Sequence, residues 1–563
     1  MRIALARIAS CPVLTSVSKL VLFSPHETEL EDLMPVDDTL TDLTSVWELI
    51  ESAADRFGAA RMLVDDRDRD WTFAQYRDAC SRVAARLLTD GISTSSTVSW
   101  QLPTTIEAVV LLGALARLGV RQNPLIPVLR RGELEPIVRQ VRPDLIVVPK
   151  VWRGFDHQAM AVELASLTGA RVWALELDGV IDSLTGGEAQ ALPAPPESAA
   201  SQWVYSSSGS TAHPKTILHT DESVVASAGA QLVQFDLGPS DLFPISFPVS
   251  HIGGMASLVT SWVRGTQLML DSAFDPTSSP QRMSRHGATV LGSATPFFLA
   301  FLAAQRLHGR EPLFPGLRFC MGGGAPIPTG LHAQVIDELG GAGIFNGYGL
   351  IECPILGYPA PQSPPELIDA SAFVPALAVD IKILDPNGEQ VPDGTQGELW
   401  TKGPQSLLGY LDPDLTASLI DDAGFVSTGD LAVRSGGHVR ITGRLKDVII
   451  RNGENISAIE VETALANLPD IAEVAVVGLP DPRSGERVCA VVVPTETDRP
   501  PTLEDLATAC AEAGLAAFKT PEQIRIVGAL PRSPMGKLVK ASILELIQDP
   551  NTHASPQSAQ EKD

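Results

Sequence analysis

Cysteine is scarce in this chain, with six residues in 563 and no C-x-x-C pair among them. Scattered single cysteines lack the ligand spacing of a zinc site and the dense pattern of a disulfide framework. We therefore expect free thiols, a reducing compartment and a cytoplasmic protein.

Positive charge is also in short supply, because 42 Lys and Arg residues face 67 Asp and Glu residues, for a formal net charge of −25. Nucleic acids and anionic membranes require a basic surface, so neither is expected as a partner. No apolar run is long enough for an integral membrane segment. ATP is not excluded, because a local cluster of Lys, Arg and Mg²⁺ can outweigh a distant, screened acidic surface.

The first half of the chain alternates helix and strand patterns. Capping boxes at 45–48 and 72–75 each precede an apolar helical stripe, and residues 106–118 read as a third helix. Short Val/Ile/Leu runs at 98–102 and 145–148 read as strands. This alternation predicts an α/β fold with mostly parallel strands.

A loop of small hydroxyl residues follows an apolar strand at 203–205. It runs from Ser207 to Thr216 as Ser-Ser-Gly-Ser-Thr-Ala-His-Pro-Lys-Thr. Such a loop offers N–H groups and hydroxyls to polyphosphate oxygens, and Lys215 adds a positive charge. The pattern G-x-x-x-x-G-K-[ST] nearly fits, but Pro214 replaces the second glycine and has no N–H, so we reject a P-loop NTPase. Taken alone, the stretch could also be a Ser-rich surface turn.

Further segments concentrate glycine, proline and charged residues. Glycine allows a backbone to approach a ligand closely, although each segment by itself could be an ordinary turn. The segments are 247–254, 320–327, 345–352, 427–430, 443–450, 451–457 and 531–538.

Together with the Ser207 loop, and in this order, these segments resemble the motifs of the adenylate-forming (AMP-binding) superfamily. That superfamily includes acyl-CoA synthetases, firefly-type luciferases and nonribosomal peptide adenylation domains. The Gly-Glu-Asn-Ile sequence that begins at Gly453 is similar to the acid–CoA ligase branch. The resemblance covers roughly residues 45 to 545.

The resemblance implies a domain organisation. We expect a large N-terminal AMP-binding domain at 34–443, made of layered α/β subdomains plus a β-rich subdomain. A small mobile α+β C-terminal domain would occupy 444–549, with a hinge near Lys446. Residues 1–33 form an uncertain extension, with Met34 as the hypothetical natural start, and residues 550–563 a polar, disordered tail.

The resemblance also implies roles for individual residues. Lys537 would reach the α-phosphate and the substrate carboxylate, Glu352 would hold Mg²⁺, and Asp430 would accept the ribose hydroxyls. His251 would border the acyl pocket, and Arg444 would reach ribose or phosphate. The other implied contacts are Ser207, Ser208, Gly209, Ser210, Thr211 and Lys215 for phosphate, Gly324, Ala325, Pro326, Asn346, Gly347 and Tyr348 for adenine, and Gly453, Glu454 and Asn455 for the coenzyme A tunnel.

The implied reaction is an AMP-forming acid–CoA ligation with ATP, Mg²⁺ and coenzyme A. We expect Gly322, Gly323 and Gly324 to leave open space, which favours a bulky carboxylic acid over acetate. A homodimer is compatible with the sequence, which does not determine the oligomeric state.

Two alternatives stay open: an acyl-AMP ligase that loads a separate carrier protein, and a non-catalytic nucleotide-binding homologue. Support for the homologue comes from Ala212 and Thr216 in place of family glycines and from Ile351 in place of a threonine. Retention of Glu352 and Lys537 argues against it. Luciferase-type oxidation has no specific signal.

Overall fold

The computed structural model describes residues 45–177, 191–195, 202–207, 214–245, 248–325, 327–376, 378–451, 454–481, 483–533 and 537–548. The predicted extension at 1–33 and tail at 550–563 lie outside these ranges. The chain forms two compact units. The first contains the described residues up to Ile381 together with Thr401–Val426, and the second contains Lys382–Trp400 and the described residues from Ser427. The border near residue 443 and the mobility of the C-terminal part stay predictions.

Most helices in the described ranges belong to the first unit, and three belong to the second. Single 3₁₀ turns occur at Leu445–Asp447 and Ala517–Lys519. The helices are α1 (Val46–Phe57), α2 (Phe73–Thr89), α3 (Ile106–Leu118), α4 (Arg131–Val141), α5 (His157–Ser166), α6 (Asp221–Ala226), α7 (Gly229–Gln234), α8 (Ile252–Arg264), α9 (Ser279–Arg285), α10 (Thr295–His308), α11 (Leu331–Leu339), α12 (Pro365–Asp369), α13 (Pro413–Leu419), α14 (Ala458–Leu465), α15 (Leu503–Glu512) and α16 (Lys540–Gln548).

Strands alternate with these helices along most of the chain. They are β1 (Arg61–Asp65), β2 (Asp70–Thr72), β3 (Thr97–Trp100), β4 (Arg121–Pro124), β5 (Leu145–Pro149), β6 (Val151–Trp152), β7 (Phe155–Asp156), β8 (Arg171–Leu175), β9 (Trp203–Ser207), β10 (Lys215–His219), β11 (Leu242–Ile245), β12 (Gln267–Leu270), β13 (Val290–Ser293), β14 (Phe319–Gly323), β15 (Ile344–Leu350), β16 (Cys353–Tyr358), β17 (Val374–Pro375), β18 (Asp380–Leu384), β19 (Gln396–Lys402), β20 (Gly409–Tyr410), β21 (Val426–Ser435), β22 (His438–Arg444), β23 (Val448–Arg451), β24 (Glu454–Ser457), β25 (Ile471–Asp481), β26 (Gly485–Pro494) and β27 (Gln523–Ile526).

The sheets confirm the predicted mixed α/β fold. In the first unit, a seven-stranded sheet has the order β20-β10-β9-β4-β3-β5-β8, a four-stranded sheet the order β11-β12-β1-β2, and a five-stranded sheet the order β13-β14-β15-β16-β17. Strands β9, β4, β3, β5 and β8 run parallel, whereas β10 turns back antiparallel to β9. In the second unit, β18-β19-β21-β22 form one sheet and β24-β23-β26-β25 another, which β27 joins through β26.

Local sequence explains the helix starts and the burial of α3. Both predicted capping boxes form: Ser45 Oγ accepts from Glu48 N at 3.1 Å, and Thr72 Oγ1 accepts from Gln75 N at 3.2 Å. Helix α3 is apolar except for Glu107 and Arg117 and all of its residues are buried, as expected for a helix in the interior of a large domain.

The C-terminal sheet is covered on both faces. On β25, Val476 packs in a cluster with α14 and α15, while its neighbours Ala475 and Val477 pack in a second cluster that contains Ile543 of α16. This alternation follows the two-residue period of a strand.

The buried carboxylate of Asp221 links the first residue of α1 to β9, the strand that precedes the phosphate loop. Asp221 accepts from Val46 N at 2.9 Å and from Trp203 Nε1 at 2.7 Å. Burial raises the pKa of this carboxyl to about 6, against the lowering effect of the two hydrogen bonds. An unfolded Asp has a pKa of about 3.9. Between these values the folded chain holds a proton that the unfolded chain releases, so this group's contribution to stability falls as pH rises.

We expect Asp221→Asn to remove this pH dependence. The unfolding free energy of the native chain minus that of the variant should fall by about 1–3 kcal/mol from pH 4 to pH 7. Urea denaturation followed by tryptophan fluorescence measures it at each pH. A difference that does not change across this window would contradict the prediction.

Candidate active site

The ends of the phosphate loop are held side by side. Strand β9 ends at Ser207 and β10 begins at Lys215, and these two residues are paired across the antiparallel ladder. Ligands of α/β sheets bind at the carboxyl ends of the parallel strands, and the phosphate loop follows the carboxyl end of β9. The predicted contacts Ser208, Gly209, Ser210 and Thr211 lie outside the described residues.

Thr216, which replaces a family glycine, occupies a regular strand position. It pairs with Ser206 in the ladder, is buried, and its hydroxyl donates to Gln140 Oε1 at 3.0 Å. A β-branched residue suits a strand, so the absence of glycine has a local structural reason here.

Lys215 and Glu352 both contact Tyr410. The Lys215 ammonium lies 5.7 Å from the centre of the Tyr410 ring, and Tyr410 Oη donates to Glu352 Oε1 at 3.1 Å. Burial, and then the adjacent Glu352 charge, raise the pKa of the Tyr410 phenol far above its ordinary value, so the phenol keeps its proton. Sequence reasoning assigned no role to Tyr410, which lies 58 residues along the chain from its partner Glu352.

The backbone around Glu352 is also fixed. Leu407 N donates to Glu352 O at 2.8 Å, and His219 Nε2 contacts Ile351 O at 2.8 Å. Burial lowers the pKa of His219 to about 4, so the ring is neutral near pH 7. Its Nε2 must then carry the proton, and Nδ1 accepts from Ser223 Oγ at 2.9 Å. The Ile351 side chain packs against the large apolar core of the first unit, so Ile351 acts here as a packing residue.

The Glu352 carboxylate suits a magnesium ion whose other ligands are phosphate and water oxygens. Within the described ranges, no group of three or more His, Cys, Asp and Glu side chains could hold a metal by itself. Mg²⁺ is usually held by one or two carboxylates together with phosphate and water oxygens. Glu352 is 8 % exposed and accepts its hydrogen bond through one oxygen of two, which fits such a shared site.

The glycine-rich end of β14 lies alongside β15, with Gly322 opposite Asn346 and Gly323 opposite Gly347. A Cβ on Gly322 would lie 3.0 Å from both Asn346 Oδ1 and the Phe298 ring, and one on Gly323 would lie 3.2 Å from Gly347 O. The prediction of open space is therefore wrong for these two glycines, which are needed for close strand packing. At Gly324, where φ is +83°, the open space stays a prediction.

Asn346 presents a buried acceptor beside this segment. Its Nδ2 donates to Ala325 O and to Ser371 Oγ, each at 2.9 Å, which settles the amide orientation. Its Oδ1 is buried with no hydrogen-bond partner among the residues described. An unpaired buried acceptor costs about 1–3 kcal/mol, so the site suits a ligand N–H such as the adenine amine. Tyr348 stacks on Phe373 with ring centres 5.1 Å apart, and Pro326 lies outside the described residues.

His251 has a visible structural task. It is the N-cap of α8, where its Nδ1 accepts from Gly253 N at 3.1 Å. The next glycine is sterically required, because a Cβ on Gly254 would lie 2.6 Å from Pro248 O. The catalytic part of the His251 prediction stays a prediction.

In the second unit, two predicted ribose contacts face each other. Asp430 and Arg444 are partners across the β21–β22 ladder, with Arg444 Nε 2.8 Å from Asp430 Oδ1. Asp430 is buried and Arg444 half-exposed, while Thr428 Oγ1 accepts from Asp430 N at 3.1 Å and fixes the turn. The pair joins a carboxylate that can accept ribose hydroxyls to a guanidinium that can meet phosphate.

The remaining predicted residues of this unit are two lysines and the segment at 453–455. Lys446 is exposed within the single 3₁₀ turn Leu445–Asp447. Lys537 is exposed, and its carbonyl accepts from Ser533 N at 2.7 Å. Glu454 and Asn455 begin β24, whereas Gly453 lies outside the described ranges.

Two family models match the chain. The model described as AMP-binding enzyme matches residues 50–411, and the AMP-binding enzyme C-terminal domain matches residues 460–537. The chain therefore belongs to the AMP-binding enzyme family. Within it, the protein is an ATP-dependent acid–thiol ligase of the acyl-CoA synthetase branch, which confirms the resemblance seen in the sequence.

Curated relatives agree with this assignment, and a solved structure agrees with the fold. A medium-chain fatty-acid–CoA ligase of Escherichia coli is 29 % identical over 85 % of this chain and 86 % of its own. A salicyl-AMP ligase / salicyl-S-ArCP synthetase of Mycobacterium tuberculosis is 31 % identical over 90 % of both chains. The fold matches ATP-bound MatB from Rhodopseudomonas palustris with a TM-score of 0.80, at 24 % identity over 89 % of this chain and 99 % of that one. No helix in the described part of the chain is long and apolar enough to cross a membrane.

Proposed function

We propose that the protein is an AMP-forming acid–CoA ligase that uses ATP, Mg²⁺ and coenzyme A. A carboxylate attacks the α-phosphate of ATP and pyrophosphate leaves, which produces an acyl-adenylate. The coenzyme A thiol then attacks the acyl carbon, and AMP leaves as the thioester forms. The observation that carries this proposal is the convergence of Lys215 and Glu352 on Tyr410 beside the phosphate loop.

In the first unit, Lys215 and the hydroxyls of the loop from Ser207 bind phosphate oxygens. Glu352 holds Mg²⁺, which neutralises charge on the phosphates when it is bound. The Asn346 acceptor and the backbone near Gly324 receive adenine, and Tyr348 stacks against the base. His251 borders the acyl group. Two anions, carboxylate and triphosphate, are thereby held close enough to react.

In the second unit, Asp430 accepts the ribose hydroxyls and Arg444 reaches ribose or phosphate. Lys537 neutralises the charge that develops as the carboxylate attacks the α-phosphate. Rotation about Lys446 then removes Lys537 and brings in residues 453–455 for coenzyme A. One acyl-adenylate site would thus serve two reactions in sequence.

An acyl-AMP ligase that loads a separate carrier protein is the second candidate. The relative of Mycobacterium tuberculosis named for a carrier-protein product favours it. The Gly-Glu-Asn-Ile sequence at 453–456 and the ligases named for coenzyme A favour the first candidate. Cytoplasmic residence agrees with the five described cysteines, all of which are buried free thiols.

The test is pyrophosphate release from ATP and Mg²⁺ with a panel of aliphatic, aryl and alicyclic acids, with and without coenzyme A. We expect release with at least one class of acid and a thioester only when coenzyme A is present. An acyl-adenylate that accumulates and never passes to coenzyme A would favour the carrier-protein ligase. No release with any acid, despite ATP binding, would favour the non-catalytic homologue.

A further inference from the structure

We propose that Tyr410 is a positioning residue that aligns the metal-binding carboxylate with the phosphate-binding lysine. The inference rests on the proposed function, because it assigns Tyr410 to the same triphosphate site. Its phenol orients Glu352 for Mg²⁺, and its ring supports Lys215.

Because this contact is buried, the hydrogen bond can hold the Glu352 carboxylate in one orientation. Tyr410 is 5 % exposed and Glu352 is 8 % exposed, so water competes little for the 3.1 Å hydrogen bond between them. A glutamate has three rotatable side-chain bonds, and a hydrogen bond from a rigid aromatic group removes much of that freedom. The carboxylate is thereby oriented before the metal arrives, which lowers the entropic cost of metal binding.

The backbone of the Tyr410 segment is tied to both partners. Leu408 N donates to Leu218 O at 2.8 Å and Leu411 N donates to Thr216 O at 2.9 Å, so β20 is fixed to the strand that begins with Lys215. Leu407 N donates to Glu352 O at 2.8 Å. The backbone position of Tyr410 is therefore fixed relative to the backbone segments that carry Lys215 and Glu352.

Three variants separate orientation of the carboxylate from general stabilisation. Tyr410→Phe removes only the hydroxyl and keeps the ring beneath Lys215. Glu352→Gln removes the charge that the hydroxyl orients, and the double variant tests whether the two changes act through the same contact. Tyr76→Phe is the matched control, because its buried Oη donates to Val109 O at 3.2 Å in the same unit.

The measurement is calorimetric binding of α,β-methylene-ATP with and without Mg²⁺, with no acid present. The ratio of the two Kd values gives the enhancement by Mg²⁺. We expect Tyr410→Phe to reduce this enhancement about ten-fold and to leave Mg²⁺-free binding unchanged. Tyr76→Phe should match the native chain, and Tyr410→Phe should add no further loss in the Glu352→Gln background.

Other results would overturn the inference. An unchanged enhancement in Tyr410→Phe, in a native enzyme that releases pyrophosphate, would remove the role of Tyr410 and leave the proposed function intact. If Tyr410→Phe reduced the Mg²⁺ enhancement as much in the Glu352→Gln background as it does alone, the hydroxyl would act through a contact other than Glu352. A native chain whose nucleotide binding does not respond to Mg²⁺ would count against the proposed function itself.

Tyr410→Leu, which also removes the ring, should weaken Mg²⁺-free binding because Lys215 loses its support.

Discussion

Lys537→Ala should abolish acyl-adenylate formation and leave the transfer of a supplied acyl-adenylate to coenzyme A near the native rate. In the proposed reaction Lys537 meets the α-phosphate only while the carboxylate attacks it. Loss of one charge-stabilising donor typically lowers a rate by about 10²–10³-fold. ATP–pyrophosphate exchange measures the first half-reaction, and thioester formation from synthetic acyl-adenylate measures the second.

Lys150→Ala provides the control for loss of a lysine. Lys150 forms an exposed ion pair with Glu176 at 2.6 Å in the first unit, and such surface pairs contribute about 0–1 kcal/mol. Both half-reactions should therefore be unchanged in that variant. An equal loss of both half-reactions in Lys537→Ala would contradict the account in which Lys537 serves the first step alone.

Lys446→Pro should have the opposite effect, with pyrophosphate release retained and thioester formation lost by about 10²-fold. Lys446 lies in a single 3₁₀ turn, where rotation of a few backbone dihedrals would carry the part of the chain after Lys446 between its two tasks. Proline locks φ at its own position and restricts the residue before it, Leu445. Separate assays of the two half-reactions with one acid measure the effect.

Lys446→Ala separates backbone restriction from loss of the side chain. Alanine removes the same charge and keeps the backbone free, so both half-reactions should remain close to native. If alanine impaired thioester formation as strongly as proline, the side chain rather than the hinge would carry the effect. Parallel losses of both half-reactions in Lys446→Pro would argue against alternation of the C-terminal part.

Local sequence was enough for many individual elements. The helix predicted at 106–118 has those bounds, because an apolar run that starts at the cap Thr105 and ends before Gly119 encodes its own limits. The strand predicted at 145–148 is Leu145–Pro149, which is one residue longer at its C-terminal end. Periodicity and capping are short-range signals, so they can be read from a window of sequence.

The packing of the glycine segment could not be read in the same way. Gly322 and Gly323 looked like space for a substrate, whereas Gly322 is closed by Asn346 and Phe298 and Gly323 by the backbone of Gly347. What surrounds a glycine depends on which strand lies beside it. The sequence contains no local signal for that partner.

The sequence by itself determined the family, the mixed α/β fold and the order of the motifs around the Ser207 loop, because each motif is a short, nearly contiguous pattern. Tertiary structure alone brought Tyr410 into contact with both Lys215 and Glu352, paired Asp430 with Arg444, and set His219 against the carbonyl of Ile351. These contacts join residues far apart in the chain, and only strand register and burial decide which side chains meet. The physical reason is that functional residues occur in short local motifs, whereas the orientation of their side chains depends on tertiary contacts with residues elsewhere in the chain.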